Sequence, residues 1–307
     1  MSEHIALLKG GWSSEREVSL ASGLAVEQAL IQLGYPYSVI DVQPDIGKIL
    51  TELKPTKVFN ALHGKYGEDG SIQGVLELLG IPYTHSGVLA SAMAMDKVCS
   101  KAMFRHYGIR TPDGGVFTIG EIKNKSPFPY PFVVKPPADG SSVNVFLIFE
   151  EYDLRSLACV PDDTLMLVEP YIPGREIQVA VLNGKALGAI EIRPKNKFYD
   201  YEAKYTAGKA DHMMPAPIPA EDYLEVLRLA ERAHNALGCR GLTRSDFRYD
   251  DQTIGRDMFY ILEINTQPGM TQFSLAPEIA AHHGISFTDL VKHLLDHATT
   301  DEAVRYG

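Results

Sequence analysis

The chain has 307 residues, enough for two or three domains with cores of their own, and its 45% hydrophobic and 22% charged content is that of an ordinary soluble enzyme. Its 29 basic and 39 acidic residues leave a formal net charge of −10, which argues against nucleic acid or an anionic membrane as the main partner. A small anion held by a few local lysines stays open. The cysteines, Cys99, Cys159 and Cys239, lie far apart without metal-ligand spacing and read as reduced, buried thiols of a cytoplasmic protein. The opening MSEHIALLKGG lacks signal-peptide regions, and no apolar run reaches the about 18 residues that a membrane span needs.

In chain order, IALLKGG (5–11) predicts a buried strand closed by glycines, and EVSLASGLAVEQALIQLG (17–34) a helix stopped at Gly34. YSVIDV (37–42) and KVFNALHG (57–64) predict two further strands, and SIQGVLELLG (71–80) a short helix. Strand–helix–strand spacing implies parallel pairing with helices on the faces, hence one α/β domain. DKVCSKAMFRHYG (96–108) predicts a helix leading into a different pattern. PFVVKP (131–136), VNVFLIF (143–149) and TLMLVEPY (164–171) read as strands, with a short helix near 152–159. EIQVAVLNGKALGAIEIRP (176–194) reads as two strands about Asn183-Gly184, a pair favoured in type I′ hairpin turns.

Residues 195–219 show no period, many charges and four tyrosine or phenylalanine rings, so they predict a functional lid without regular structure. A helix follows, with Val226, Ala230, Ala233 and Leu237 on one face. GLTRSDFRYD (241–250), the strand MFYILEIN (258–265) and two C-terminal helices complete the chain.

Glu263 and Asn265 sit two apart at the end of that last strand and therefore face one side. Taken alone they read equally well as a strand end meeting solvent. Asp246, on the preceding strand, reaches the same edge if the two strands pair antiparallel. Two carboxylates and an amide oxygen, with no histidine or cysteine nearby, form a hard oxygen site suited to Mg²⁺ on a polyphosphate. Lys135 ends the buried strand PFVVKP and needs an anionic partner there. Lys97 opens a helix and by itself reads as a solvated first-turn lysine. ADGSSVN (138–144) offers the glycine and serines of a phosphate-covering loop, or of an ordinary hairpin. VEPYIPGRE (168–176) reads as an inter-domain connector or as a seat for adenine, with Glu169 near the purine and Glu176 near a ribose. In the loop LLKGGWSSEREVS, Glu17 complements the helix dipole, and Glu15, at the carboxyl end of a strand, can hold an ammonium. Neither a Walker A pattern nor G-x-G-x-x-G after the first strand is present, which argues against a P-loop enzyme or a dinucleotide oxidoreductase.

Together, GGWSSEREVSL, NALHGKYGEDGSIQGVLELLGIPYTHSG, MDK, VVKPPADGSSV, FYDYEAKY, RSDF and LEINTQPGMTQFSL resemble the D-alanine–D-alanine ligase family, in order from about residue 5 to 275. The resemblance implies an ATP-grasp fold, α/β and α+β. An N-terminal parallel α/β domain (1–96), a small central antiparallel domain (97–178) and a larger C-terminal antiparallel-sheet domain (179–307) with its lid near 195–219 would clasp ATP. It implies ATP-dependent joining of two D-alanines through an acyl phosphate, for peptidoglycan precursor synthesis. ATP and Mg²⁺ (two ions, with Mn²⁺ an alternative), a cytoplasmic homodimer, and no nucleic-acid or membrane partner go with it.

By the same resemblance, Asp246, Glu263 and Asn265 match metal ligands, and Lys97, Lys135 and Lys204 match phosphate-binding positions, with Ser142 in the covering loop. Glu169, Tyr171 and Ile172 match the adenine hinge and Glu176 the ribose contact. Glu15 matches the carboxylate that holds the first amino group, and Ser141 and Tyr205 the hydrogen-bonded set that fixes the lid. Arg244 matches the arginine on the reacting carboxyl, with the backbone of Gly269 beside it. Ser274 and Leu275 match the pocket for the second carboxylate, and His63 lies near that substrate. D-Lactate or D-serine as the second substrate is the nearest rival, and Tyr205 favours D-alanine. The chain departs from the pattern at Asn144, where glycine is expected, at Pro137-Ala138-Asp139, and at Gln267. Asparagine at 144 can still supply a positive φ.

Overall fold

Strand β1 (Ile5–Lys9) is flanked by β2 (Tyr37–Asp41) and β3 (Lys57–Asn60) in a parallel sheet of order β2-β1-β3. This computed structural model describes residues 3–140, 144–194, 210–252, 258–271 and 273–306. Parallel neighbours need crossovers, supplied here by helix α1 (Arg16–Leu33) and helix α2 (Ile46–Leu53). Gly34, at φ 72°, stops α1 in the left-handed conformation that glycine adopts without strain. Alternate residues of β1 enter different cores. Ile5 and Leu7 pack with Val26 and Leu30 of α1, whereas Ala6 and Leu8 pack with Leu50 of α2 and with Ile72 and Leu76 of α3 (Ser71–Leu79).

Helix α4 (Val88–Met95) and helix α5 (Lys97–His106) pack on the last strand of the C-terminal sheet. The chain breaks between them at Asp96, whose carboxylate accepts from the backbone N–H of Val98 (2.8 Å) and Cys99 (3.0 Å) and so starts α5. A four-stranded sheet follows, built from β4 (Gly115–Thr118), β5 (Phe132–Lys135), β6 (Phe146–Ile148) and β7 (Leu165–Pro170) in the order β4-β7-β5-β6. Its pairs are antiparallel, helix α6 (Ile119–Asn124) follows β4, and its core of Ile119, Ile122, Phe132, Val134, Leu157 and Val168 is its own.

The C-terminal sheet contains β8 (Arg175–Leu182), β9 (Lys185–Pro194), β10 (Ala210–Met213), β11 (Leu242–Tyr249) and β12 (Phe259–Asn265), ordered β10-β9-β8-β11-β12 and antiparallel throughout. Asn183 and Gly184 turn β8 into β9 with φ of 46° and 79°, as a type I′ hairpin requires. Helix α7 (Ala220–Ala236) covers one face through Val226, Ala230 and Ala233, with Leu237 just beyond its end. Helix α8 (Leu275–His282) and helix α9 (Phe287–Asp296) cover the other. With both faces covered, β8 is buried from Ile177 to Leu182, which is why IQVAVL scarcely alternates. Ile5, Leu7 and Phe59 share one core with Ala180, Ile190 and Leu290, so the N-terminal and C-terminal sheets are joined through common packing.

Several expectations need correction. Within 195–219, residues 210–213 form β10, an edge strand set by backbone pairing to β9 rather than by any apolar alternation of its own. A third C-terminal helix, α10 (Asp301–Tyr306), follows α9, and neither α2 nor α4 was anticipated. The described cysteines are free, but Cys99 and Cys159 are exposed rather than buried. Among the described residues no helix is long and apolar enough to cross a membrane.

Candidate active site

Strands β11 and β12 pair with Asp246 opposite Glu263 and Arg244 opposite Asn265. Residues two apart on a strand share a face, so all four side chains rise from one patch of the sheet. The register shifts after Asp246, a bulge of the kind that re-aims side chains beside sites. Arg244 grips Asp246 as a fork, Nε to Oδ1 at 2.8 Å and Nη2 to Oδ2 at 3.0 Å. Asn265 Oδ1 accepts from the backbone N–H of Gln267 at 2.8 Å, which fixes the amide.

Two lysines reach this patch from other elements. Lys97, first residue of α5, is buried rather than solvated. Its Nζ lies 3.2 Å from Glu263 Oε2 and 2.5 Å from the Asp139 carbonyl oxygen. Lys135 finds the anion that its burial demands in Glu169, 2.7 Å away. On the ladder Val133 faces Glu169, so Lys135 meets it diagonally on the same face. Burial, and then the charge of Lys97, lower the Lys135 ammonium to about 8. The connector after β7 is tied down by Arg248, which donates to the carbonyls of Ile172 (3.1 Å) and Gly174 (2.6 Å) and lies over the Tyr171 ring. Glu176 faces Arg248 across β8 and β11 and accepts from Gln178 Nε2 at 3.1 Å.

The N-terminal loop completes the cleft. Glu15 is buried, and a methyl group placed on Gly64 or Gly140 would come within 2.6 or 2.9 Å of its Oε2. Both glycines thus let backbone close on the carboxylate, one of them next to the phosphate-loop motif. Ser13 Oγ donates to the His63 carbonyl at 2.7 Å and accepts from the Glu15 N–H at 3.2 Å. The His63 ring pairs through Nε2 with Ser22 Oγ (2.9 Å), which accepts from the Met270 N–H (3.1 Å). Burial lowers the His63 pKa to about 4. Gly269 lies so close to Ser274 that a Cβ there would sit 2.7 Å from its Oγ. Ser274 Oγ in turn accepts from the Thr271 N–H at 2.9 Å. Leu275 opens α8 with its side chain in the core, so it can offer only backbone to a carboxylate at that helix start.

The D-ala D-ala ligase C-terminus family model matches residues 109–296, and the N-terminus model of the same family matches residues 47–86. The D-alanine–D-alanine ligase of Paramagnetospirillum magneticum is 49% identical over 305 residues, covering 98% of this chain and 100% of that one. The chain belongs to the D-alanine–D-alanine ligase family. A crystal structure of the Bacillus anthracis D-alanine–D-alanine ligase superposes with a TM-score of 0.84 at 35% identity over 99% of both chains. A second, complexed with ATP, gives 0.81 at 34% identity over 99% of this chain and 98% of that one. The VanG D-Ala:D-Ser ligase of Enterococcus faecalis gives 0.77 at 29% identity, covering 96% of this chain and 99% of that one. The fold is the ATP-grasp arrangement, with its parallel α/β part and two antiparallel sheets.

Within this ligase fold, Asp246, Glu263, Asn265, Lys97, Arg244 and Glu15 come together in one region. Lys135, Glu169, Tyr171 and Ile172 gather along the central sheet and its connector, and Glu176 follows at the start of β8 in the C-terminal sheet. Ser141, Ser142, Lys204 and Tyr205, with residues 195–209 of the expected lid, lie outside the described residues. Asn144 has a φ of 56°, a left-handed conformation that asparagine can adopt where glycine is expected. Gln267 is buried: its Oε1 accepts from Asn60 Nδ2 at 2.7 Å and its Nε2 donates to the Leu62 carbonyl, bridging the N-terminal sheet to the strand of metal-ligand candidates.

Three side chains of the site were passed over in the sequence. Lys101, one turn after Lys97, pairs with Glu169. Arg248 was read only as part of a strand. Glu68 is buried with one oxygen on the Gly64 N–H (3.0 Å) and, among the described residues, no partner for the other. Burial, and then the charge of Glu15, hold its carboxyl well above the usual range. A lysine in mid-helix and a glutamate in a GKYGEDG loop carry no local sign of burial, which tertiary contacts alone decide.

Proposed function

We propose that the protein joins two D-alanine molecules into D-alanyl-D-alanine with conversion of ATP to ADP and phosphate, for peptidoglycan precursor synthesis. The observation that carries this reading is the meeting of Arg244, Asp246, Glu263, Asn265 and Lys97 on one face, with Glu15 closing in from the N-terminal loop. A carboxylate does not react with an amine at neutral pH until it is activated. Transfer of the γ-phosphoryl group to a carboxylate oxygen of the first D-alanine gives an acyl phosphate and ADP. Attack by the free amine of the second D-alanine forms the amide, and the carbon–oxygen bond to phosphate breaks. One proton leaves the attacking nitrogen.

The residues divide this work. Glu15 takes the ammonium of the first substrate, and Arg244 offsets charge on the reacting carboxyl and the tetrahedral intermediate. Lys97 and Lys135 hold the phosphates, and the connector held by Arg248 seats the adenine. Gly269 and Ser274, at the start of α8, receive the second carboxylate. The oxygen set also fits Mg²⁺. Among the described residues no three His, Cys, Asp or Glu side chains gather closely enough to hold a metal alone. Asp246, Glu263 and the Asn265 amide would hold the ion there, together with phosphate oxygens and water, as Mg²⁺ prefers. Bound there, Mg²⁺ would neutralise charge on the transferring phosphoryl group. The reading carries with it a cytoplasmic homodimer, which light scattering on the purified chain would check.

The test follows dipeptide and phosphate together with ATP, Mg²⁺ and D-alanine, beside reactions supplied with L-alanine, D-serine or D-lactate as acceptor. Equal dipeptide and phosphate with D-alanine alone is the expected result. Preferred use of D-serine or D-lactate would move the chain to a neighbouring specificity, and no ATP consumption with any acceptor would overturn the reading.

A further inference from the structure

Lys97 and Lys101 lie four apart on α5 and so share a face, yet they meet different carboxylates. Lys101 contacts Oε1 of Glu169, and Lys135 takes Oε2 of the same carboxylate at 2.7 Å. Lys101 and Glu169 are each only 2% exposed. Burying a lysine is costly, and an apolar side chain would usually serve stability as well or better. Burial, and then Lys135 beside it, lower the Lys101 ammonium to about 6, and the Glu169 carboxylate that it touches opposes that shift. So costly an arrangement asks for a reason beyond packing.

Charge supplies one. Lys135 and Glu169 alone would form a neutral pair, with the positive charge of Lys135 cancelled by its neighbour. With Lys101 on the other oxygen, the trio carries a formal charge of +1. We propose that Lys101 is a positioning residue for ATP. It neutralises Glu169 and holds it on β7, so that Lys135 keeps its attraction for a phosphate. When Lys135 turns to that phosphate, Glu169 is left paired rather than as a lone buried carboxylate, which would be the expensive state. This rests on the ATP-dependent reading above, and it assigns a part to a residue that no motif in the sequence marked.

The test is a double-mutant cycle on the full-length protein. Lys101→Met keeps the shape and removes the charge, and Glu169→Gln removes the charge that Lys101 is held to neutralise. ATP binding is measured by calorimetry, and KM for ATP, KM for each D-alanine and kcat by dipeptide formation. Lys101→Met is expected to weaken ATP binding and raise its KM at least tenfold, with both D-alanine KM values within about threefold of wild type. In the Glu169→Gln background the same substitution should change ATP affinity by less than about threefold. Lys101→Arg, which keeps the charge, should restore most of the loss.

An equal ATP penalty in both backgrounds, or a lowered melting temperature with unchanged ATP affinity, would make Lys101 merely structural and overturn the proposal. If Lys101→Met does not fold, the Glu169→Gln single and double variants and Lys101→Arg carry the comparison. In that case a double variant binding ATP more than tenfold below Glu169→Gln overturns it. ATP binding by the wild type without dipeptide formation would sink the ligase reading alone, and the cycle would still decide on Lys101. A wild type that binds no ATP would overturn both.

Discussion

At the scale of single residues, the forked contact between Arg244 and Asp246 joins the guanidinium proposed for the reacting carboxyl to the carboxylate proposed for the metal. Arg244→Ala is expected to lower turnover by roughly 10²-fold or more, as loss of an oxyanion donor does elsewhere. Near-normal turnover would remove Arg244 from the chemistry. Asp246→Asn and Glu263→Gln should raise the Mg²⁺ concentration needed for half-maximal activity or abolish activity, and unchanged titrations would sink the metal assignment. Buried histidines add a pH dependence. Burial lowers His63 to about 4, His234 to about 4 and His85 to about 3. Their folded values lie below the unfolded value near 6.5, so the unfolded chain takes up protons first as the pH falls. The stability they contribute is complete above about pH 6.5 and is lost below it, at up to about 1.4 kcal/mol per pH unit for each residue. Urea denaturation should therefore show lower stability at pH 5 than at pH 7. Equal stability would mean that these rings are not held neutral.

At the scale of elements, α5 carries both Lys97 and Lys101 into the site, and the Asp96 cap sets where that helix begins. Asp96→Ala should cost about 1 kcal/mol of stability, the usual loss for a cap of this kind. It should also raise KM for ATP more than KM for D-alanine, because the first turn holds a phosphate lysine; equal rises would separate the cap from the ATP site. Elements with strong local signals were legible in the sequence. Gly34 marks the end of α1, Asn183-Gly184 marks the hairpin, and the period-two spacing of Glu263 and Asn265, with Asp246 on an antiparallel neighbour, gives their common edge, whereas Arg244 is placed only by resemblance. Other elements had no such signal. ADHM becomes β10 only because β9 offers an edge, and VLASAMAM is too uniformly small and apolar to show a helical stripe. Glu169 could be placed near the purine from its motif, but its two lysine partners come from different elements, and no local pattern predicts their meeting.

At the scale of the whole molecule, the N-terminal and C-terminal sheets share one core, and Gln267 adds buried hydrogen bonds between them. The central sheet packs about a core of its own. The single tryptophan, Trp12, sits in the N-terminal loop and reports on that part. Its fluorescence transition in urea is expected to coincide with loss of exchange protection in β8 and β11, whereas amides of β5 and β7 open independently. Separate transitions for Trp12 and β8 would contradict a shared core.

The central claim is that a D-alanine carboxylate is activated by direct phosphoryl transfer in this cleft. The most direct measurement supplies D-alanine labelled with ¹⁸O at both carboxylate oxygens, together with ATP and Mg²⁺, and reads the label in the products by mass spectrometry. One ¹⁸O in each phosphate released, with ADP as the nucleotide product, is the predicted result. Unlabelled phosphate, or label recovered in AMP, would contradict the account.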